Sequence, residues 1–265
     1  MWGLVKMLLP IVILIVLFIF RPLYGLIFLI SFIGYLLYKN LPLIYCYLGN
    51  VDYINNRLEK AEEKLRKAYK SGRVRPKYIS AYAYILLKVG KADEAYSILS
   101  KLYESKLNEE EKVHVKTNLA LTIWKKGDLD QAVSMFEEIY NEIKTTNIYG
   151  CLGYLLILKG DLDRALQFNL EAYEYNNTGS VIADNMGQTY YLLGEYDKAA
   201  EVYEKLISAN PSFPEAYYNY GLVLAARSDK DKAVEMMNKA LEFRFTYLST
   251  ISREEVEAKL AELGK

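Results

Sequence analysis

Residues 180–213 read SVIADNMGQTYYLLGEYDKAAEVYEKLISANPSF, and the stretches 146–179 and 214–246 on either side keep the same register. Gly153, Gly187 and Gly221 are 34 residues apart, as are Ala165, Ala199 and Ala233, and again Gly160, Gly194 and Ser228. Separate columns sharing one interval rarely arise by chance, and a period of this length marks a stacked helical array. Within the unit, Val181, Met186, Tyr190 and Leu193 give an apolar face to a helix over 181–193. Gly194-Glu195 interrupts it. Ala199, Val202, Tyr203, Leu206 and Ile207 share one side of a second helix over 196–209. Asn210-Pro211 ends that helix, because the residue before a proline is pushed out of helical dihedrals. Gly187 and Ala199 fall twelve positions apart on the two helices. A glycine inside a helix costs about 1 kcal/mol relative to alanine, so its recurrence predicts that a neighbouring helix approaches closely there.

The pattern resembles the tetratricopeptide repeat family. The residues that carry it are Tyr149, Leu152-Gly153, Leu156, Ala165 and Ala172 in one unit. In the next they are Met186-Gly187, Tyr190, Ala199, Tyr203 and Pro211, and in the last Tyr217, Tyr220-Gly221, Leu224, Ala233, Met237 and Ala240. Ala183, Asn169, Leu206, Asn177 and Phe245 depart from the family pattern. The resemblance implies an all-α fold, a right-handed α-solenoid of helix-turn-helix repeats. Five repeats are expected over 76–246, at 76–112, 113–145, 146–179, 180–213 and 214–246, with a polar insertion over 105–112. A degenerate first repeat over 40–75 and a C-terminal capping helix within 247–265 would close the array. In the degenerate repeat, Leu43–Tyr53 is the first helix and 56–70 the second, with Ala61 at the small position.

The N-terminal end has a different composition. Residues 1–39 hold no acidic residue, and their charges are Lys6, Arg21 and Lys39. Fourteen uncharged residues separate the first two charges and seventeen the last two, against the roughly 20 that cross a bilayer as a helix. A membrane-integral hairpin of two transmembrane helices, about 2–20 and 23–39, turning at Arg21-Pro22, accommodates this, with Lys6 snorkelling. The alternatives are one span with the remainder in the interface, or a cleaved signal, which the length and the lack of an Ala-x-Ala site oppose. Trp2, Tyr35, Tyr38, Tyr45 and Tyr47 sit where an interfacial belt would lie, Tyr45 and Tyr47 equally as core residues. Lys6 and Lys39, with Arg57, Lys60, Lys64, Arg66 and Lys67 soon after, flank one side of the hairpin and Arg21 alone the other, so the soluble domain is expected to face the cytoplasm. Gly25, Ser31 and Gly34 are small enough to pack against another membrane protein.

Chemistry is hard to find. Beyond residue 39 the chain has 30 basic and 33 acidic residues, a formal −3, without the basic stripe of a nucleic-acid binder. Cys46 and Cys151 form no CxxC pair, and His114 is the lone histidine, more naturally a surface residue than a ligand. No phosphate loop, Ser-His-Asp set or HExxH occurs. The expectation is no enzyme, no metal, no cofactor, no small-molecule substrate and no nucleic acid. The partner is another protein, presenting a peptide or helix.

The family resemblance also implies where it binds, on the concave groove lined by first helices. The sixth repeat positions there are Ala81, Asn118, Cys151, Asn185 and Asn219. Asparagine supplies a donor and an acceptor, so these residues either grip a peptide backbone or serve between helices. Tyr84, Trp124, Tyr154, Tyr191 and Tyr218, with Asp184 and Gln188, complete the candidate groove. Lys77, Lys88 and Lys125 at the early units and Asp184 and Glu215 further on give it a polarity. Two functions fit: a membrane-anchored interaction scaffold working through the groove, or a structural subunit of a membrane complex assembled mainly through the hairpin.

Overall fold

The computed structural model describes residues 2–264, with side chains placed for residues 9–264. Trp2 and Lys6, assigned above to the membrane interface, lie outside the described side chains. Among the described residues there are fourteen helices and no strand. The chain divides into two compact units, Met1–Tyr78 and Ile79–Lys265.

The first unit holds α1 (Trp2–Phe20), α2 (Pro22–Ile54) and α3 (Leu58–Lys70). Arg21 alone separates α1 from α2, with φ −149° and ψ 75°, outside the helical region. The half-buried positions form one stripe on each helix, Pro10, Leu14 and Leu17 on α1 and Phe28, Leu29 and Phe32 on α2. Between those stripes a Cβ on Gly25 would lie 3.0 Å from the Phe18 ring. The rest of 9–41 is exposed or half-buried. One helix, α2, is long and apolar enough to cross a membrane, and Leu9–Phe20 is a shorter apolar run.

The sequence predicts one helix ending at 39 and another beginning at 43; α2 instead runs unbroken through Pro42. A proline inside a helix removes one backbone hydrogen bond and costs about 3 kcal/mol in isolation. Packing overrides that local signal. Pro42, Cys46, Gly49 and Asp52 form a buried stripe at helical spacing. A Cβ on Gly49 would come within 2.8 Å of Leu65 on α3. The buried Asp52 carboxylate pairs with Lys64, and Arg57 lies 3.6 Å away.

The second unit is an α-solenoid. Its helices are α4 (Pro76–Lys88), whose first residues precede the boundary, α5 (Ala92–Tyr103), α6 (Glu109–Lys125), α7 (Leu129–Glu142), α8 (Thr146–Lys159) and α9 (Leu162–Tyr175). They continue as α10 (Ser180–Leu192), α11 (Tyr196–Ser208), α12 (Pro214–Ala226), α13 (Lys230–Leu241) and α14 (Arg253–Leu263). From α5 to α14 each helix packs on the next in the chain, and α8 also packs on α10 and α10 on α12. The predicted insertion over 105–112 is shorter than expected. Asn108 caps α6 by accepting from Glu111 N–H at 2.9 Å, while the Glu111 carboxylate accepts from Asn108 N–H, a capping box. The capping helix expected within 247–265 is α14, and it starts where the spacing of Ser252 and Glu255 places it, in a capping box.

The glycine column behaves as its period predicts. A Cβ added to Gly187 would lie 2.5 Å from the Tyr203 ring, one on Gly221 2.8 Å from Met237, and one on Gly153 2.1 Å from Asn169 Oδ1. Ala165, Ala199 and Ala233 are fully buried. The turn column is left-handed throughout: Gly160, Gly194 and Ser228 have φ of 79°, 78° and 66°. A serine there meets its following carbonyl. Ser228→Gly is therefore expected to raise stability by about 1 kcal/mol. Gly187→Ala should lower it by roughly 1–3 kcal/mol through overpacking, although helix propensity alone favours alanine. Denaturant midpoints of the detergent-solubilised chain measure both, and a stabilised Gly187→Ala variant would refute the close crossing.

Candidate partner-binding groove

The three candidate asparagines do something other than wait for a ligand. Asn118 Nδ2 donates to Ser80 Oγ at 2.9 Å, Asn185 Nδ2 to the Gly150 carbonyl at 2.8 Å, and Asn219 Nδ2 to Asp184 Oδ1 at 3.1 Å. Each amide thus reaches the residue one position before the sixth of the preceding repeat. Asn185 and Asn219 are buried, Asn118 half-buried. Thr122 and Thr189 each donate back to the carbonyl of the asparagine four residues earlier. These asparagines tie successive first helices together, and Asp184 is buried as part of the same ladder. Sequence position alone does not separate this use from ligand binding, because both point a side chain from the same face.

The aromatic candidates fare differently. Trp124 and Tyr154 meet edge to face at 5.7 Å. Lys125 Nζ lies 4.7 Å from the Trp124 ring, and Lys88 Nζ lies 5.6 Å from the Tyr84 ring. Tyr191 and Tyr218 are half-buried near Lys259 and Glu262 of α14. Gln188 Oε1 is buried without a hydrogen-bond partner among the described residues.

Sequence reasoning missed what crosses this face. Residues 242–252, between α13 and α14, run back over the first helices. Tyr247 N–H donates to the Lys88 carbonyl at 3.1 Å and the Tyr247 hydroxyl to the Lys125 carbonyl at 3.0 Å. Lys88 and Lys125 are the last residues of α4 and α6, so both acceptors are carbonyls that a helix end leaves unpaired. Lys125 Nζ donates to the Ser249 carbonyl at 3.3 Å, and Thr250 N–H donates to Glu215 Oε1 at 2.9 Å. Ser249 C=O and Thr250 N–H belong to one peptide group. A cation from α6 holds its oxygen and a carboxylate from α12 holds its nitrogen, which matches the peptide dipole. The Thr250 hydroxyl also bonds the Tyr154 phenol, whose pKa burial raises to about 12. Burial lowers the Lys125 pKa, with Glu215 opposing that shift. No periodic signal exposes such a segment, because Tyr247, Ser249 and Thr250, which make its bonds, lie outside the repeat.

Elsewhere the chemistry is structural. Glu171 accepts from the Tyr149 hydroxyl at 2.7 Å and from Lys144 Nζ at 3.0 Å, and also from the Tyr140 hydroxyl. Those bonds, Tyr140's first, hold its pKa down to about 2. His114 is exposed beside Glu110. Among the described residues no group of His, Cys, Asp and Glu is arranged to hold a metal.

A family model described as TPR repeat matches residues 187–227, and one described as Tetratricopeptide repeat matches 214–247. A TPR repeat-containing protein of Methanocaldococcus jannaschii is 24% identical over 230 residues, covering 80% of this chain; the chain spans 39% of that relative's length. Among solved structures, the hetero-tetramer Cut9-Hcn1 of APC/C aligns with TM-score 0.64 at 16% identity, over 85% of this chain and 46% of that one. A tetratricopeptide repeat protein from Parabacteroides merdae aligns with TM-score 0.50 at 14% identity, over 85% of this chain and the whole of the other.

The buried ladder carries a pH signature. Burial raises the Asp184 carboxyl from 3.8 to about 7, with Glu215 adding to the shift and hydrogen bonds from Asn219 and Tyr203 opposing it. A carboxyl with a raised folded-state pKa stabilises the fold fully below its unfolded pKa, and that contribution is lost as pH rises through the folded value. The window therefore runs from about pH 4 to 7, with an upper limit of roughly 4 kcal/mol. Asp184→Asn keeps an oxygen acceptor without the charge. It should be more stable than the native chain at pH 8, with the difference narrowing at pH 5; equal midpoints at both would show that Asp184 ionises freely.

Proposed function

The chain is a tetratricopeptide repeat protein, and from that premise we propose that it is a membrane-anchored scaffold whose groove takes an extended segment of a partner protein. The repeat fold supports a protein–protein interaction scaffold. The observation that carries the proposal is that Lys125 and Glu215 hold the two sides of the Ser249–Thr250 peptide group, with the Tyr154 phenol bonded to Thr250 and packed edge to face on Trp124. Charged groups that take both ends of a peptide unit bind main chain, and aromatic faces supply contact area at low entropic cost.

The anchor in this proposal is the α1–α2 hairpin. Its support is the uncovered apolar surface, with Ile19, Phe20 and Leu23 at 68%, 74% and 69% exposure, which a bilayer would cover. Basic residues after Lys39 place the repeats on the cytoplasmic side in this reading. A second reading, assembly through the hairpin, draws on Gly34, where a Cβ would meet nothing within 4 Å; that open surface fits another membrane helix.

Three expected outcomes test this. The full chain should stay with membranes after alkaline carbonate extraction. A reporter fused after Lys265 should read cytoplasmic, and a periplasmic or extracellular signal overturns the orientation. A photo-crosslinking amino acid at Trp124 should capture a partner in cells. That capture should persist when residues 1–39 are replaced by an unrelated anchor; its loss favours the hairpin as the main interface.

A further inference from the structure

Between α13 and α14, Phe243, Phe245 and Ile251 pack against the core cluster, whereas residues 246–250 between them are attached to the groove in the manner of a ligand. Every residue of 242–252 is exposed or half-buried, whereas Val256 on α14 is fully buried. Its recorded bonds to the first helices are polar, and most use its main chain or supply donors to helix-end carbonyls. Tyr247 is 42% exposed although its N–H and hydroxyl are both engaged and Lys125 Nζ lies 5.0 Å from its ring. The segment folds partly on itself, Ser249 N–H donating to the Thr246 carbonyl at 2.9 Å and Thr246 N–H to Ser249 Oγ at 3.1 Å. Helices on both sides hold its ends, since Val256 joins the same core cluster as Ala233 and Met237. Lifting residues 246–250 therefore removes a few polar bonds and no fully buried side chain, while Phe243, Phe245 and Ile251 on either side keep their packing on that core.

Resting on the groove reading above, we propose that residues 246–250 are a built-in stand-in for the partner. They occupy the groove in cis, and the partner enters by displacing them with a segment of the same chemistry and the same turn. That chemistry is a tyrosine followed at its second and third positions by serine or threonine, as Tyr247, Ser249 and Thr250 are here. The tyrosine N–H goes to the carbonyl that ends α4 and its hydroxyl to the carbonyl that ends α6. The peptide group joining the second and third positions after the tyrosine goes between Lys125 and Glu215, and the last hydroxyl goes to Tyr154. A tethered occupant competes at an effective concentration of order mM, so the closed groove excludes weak segments and admits those that complete this set of bonds.

The test uses the full chain in detergent micelles and, as probe, a fluorescein-labelled peptide of residues 243–252. In the double variant Tyr247→Ala with Thr250→Pro, the cis segment loses the hydroxyl bond to the Lys125 carbonyl, the ring beside Lys125 and the N–H given to Glu215. The peptide should bind this variant at least tenfold more tightly than it binds the native chain. Adding Lys125→Ala to the double variant should abolish that gain, and a peptide with alanine at both positions should not bind. Equal affinity for native and double-variant chains overturns the proposal, because the segment then does not obstruct the groove. If neither binds the peptide while Trp124 crosslinking still captures a partner, the segment is a fixed brace and only this inference fails. If crosslinking fails as well, the groove reading falls with it. Concentration-dependent dimers of the native chain that the peptide dissolves would assign the groove to a second copy and overturn the partner assignment. Hydrogen exchange covers a misfolded double variant: Tyr247 and Thr250 amides of the native chain should exchange at least tenfold faster than Leu224 of α12. Exchange of all three at one rate overturns a displaceable segment.

Discussion

A helix pair in this protein can close only where two small residues face each other. Ala61, Ala95, Ala132, Ala165, Ala199 and Ala233 on second helices are all fully buried. Twelve residues before each, on the first helix, stand Gly49, Ala83, Ala120, Gly153, Gly187 and Gly221. Five residues before each alanine stand Asn56, Gly90, Gly127, Gly160, Gly194 and Ser228, each with positive φ. The crossing distance and the left-handed turn are thus set by one repeated geometry. The larger side chains fill the space around the crossing rather than define it: the Tyr203 ring and Met237 lie where a Cβ on Gly187 or Gly221 would go.

That constraint explains what is legible in the sequence. A small residue at a helix crossing cannot be exchanged for a large one, so the columns persist and their period shows the fold. Gly49 belongs to the same column and is within reach of the same reasoning, twelve positions before Ala61. A boundary placed at Pro42 hides it, because a local dihedral rule then outweighs tertiary packing. Asn108 and Glu111 likewise signal the start of α6. The groove is less legible for a different reason. Its asparagines occupy positions from which a side chain can reach either a ligand or the previous repeat, and the pattern is the same for both. The bonds that define the inner face join residues such as Lys125 and Ser249, or Glu215 and Thr250, whose separations follow no period.

The two faces of the array differ in how they use charge. Glu171 on α9 gathers phenols from α7 and α8 and an ammonium from the connection between them, and stays ionised well below the usual carboxylate range. On the inner face the charged groups are more enclosed. Asp184 is pushed toward neutrality and Lys125 is weakened as an acid-base cation, because water has been replaced by aromatic surface and by the chain's own backbone. In such surroundings the attraction between a peptide dipole and a fixed charge is larger than in water. One carboxylate and one ammonium can therefore hold a segment that contributes little apolar burial.

The unbroken course of α2 ties two surfaces together rotationally. At 33 residues it is about 50 Å long, carrying the apolar surface near Phe28 and Phe32 at one end and the Gly49 seat for Leu65 at the other. On a continuous helix each residue advances the azimuth by about 100°. The side that carries Phe28 and Phe32 thus fixes the compass bearing at which α3 is docked. A single residue inserted or removed between Phe32 and Gly49 would swing one surface by more than a quarter turn against the other, without disturbing either by itself.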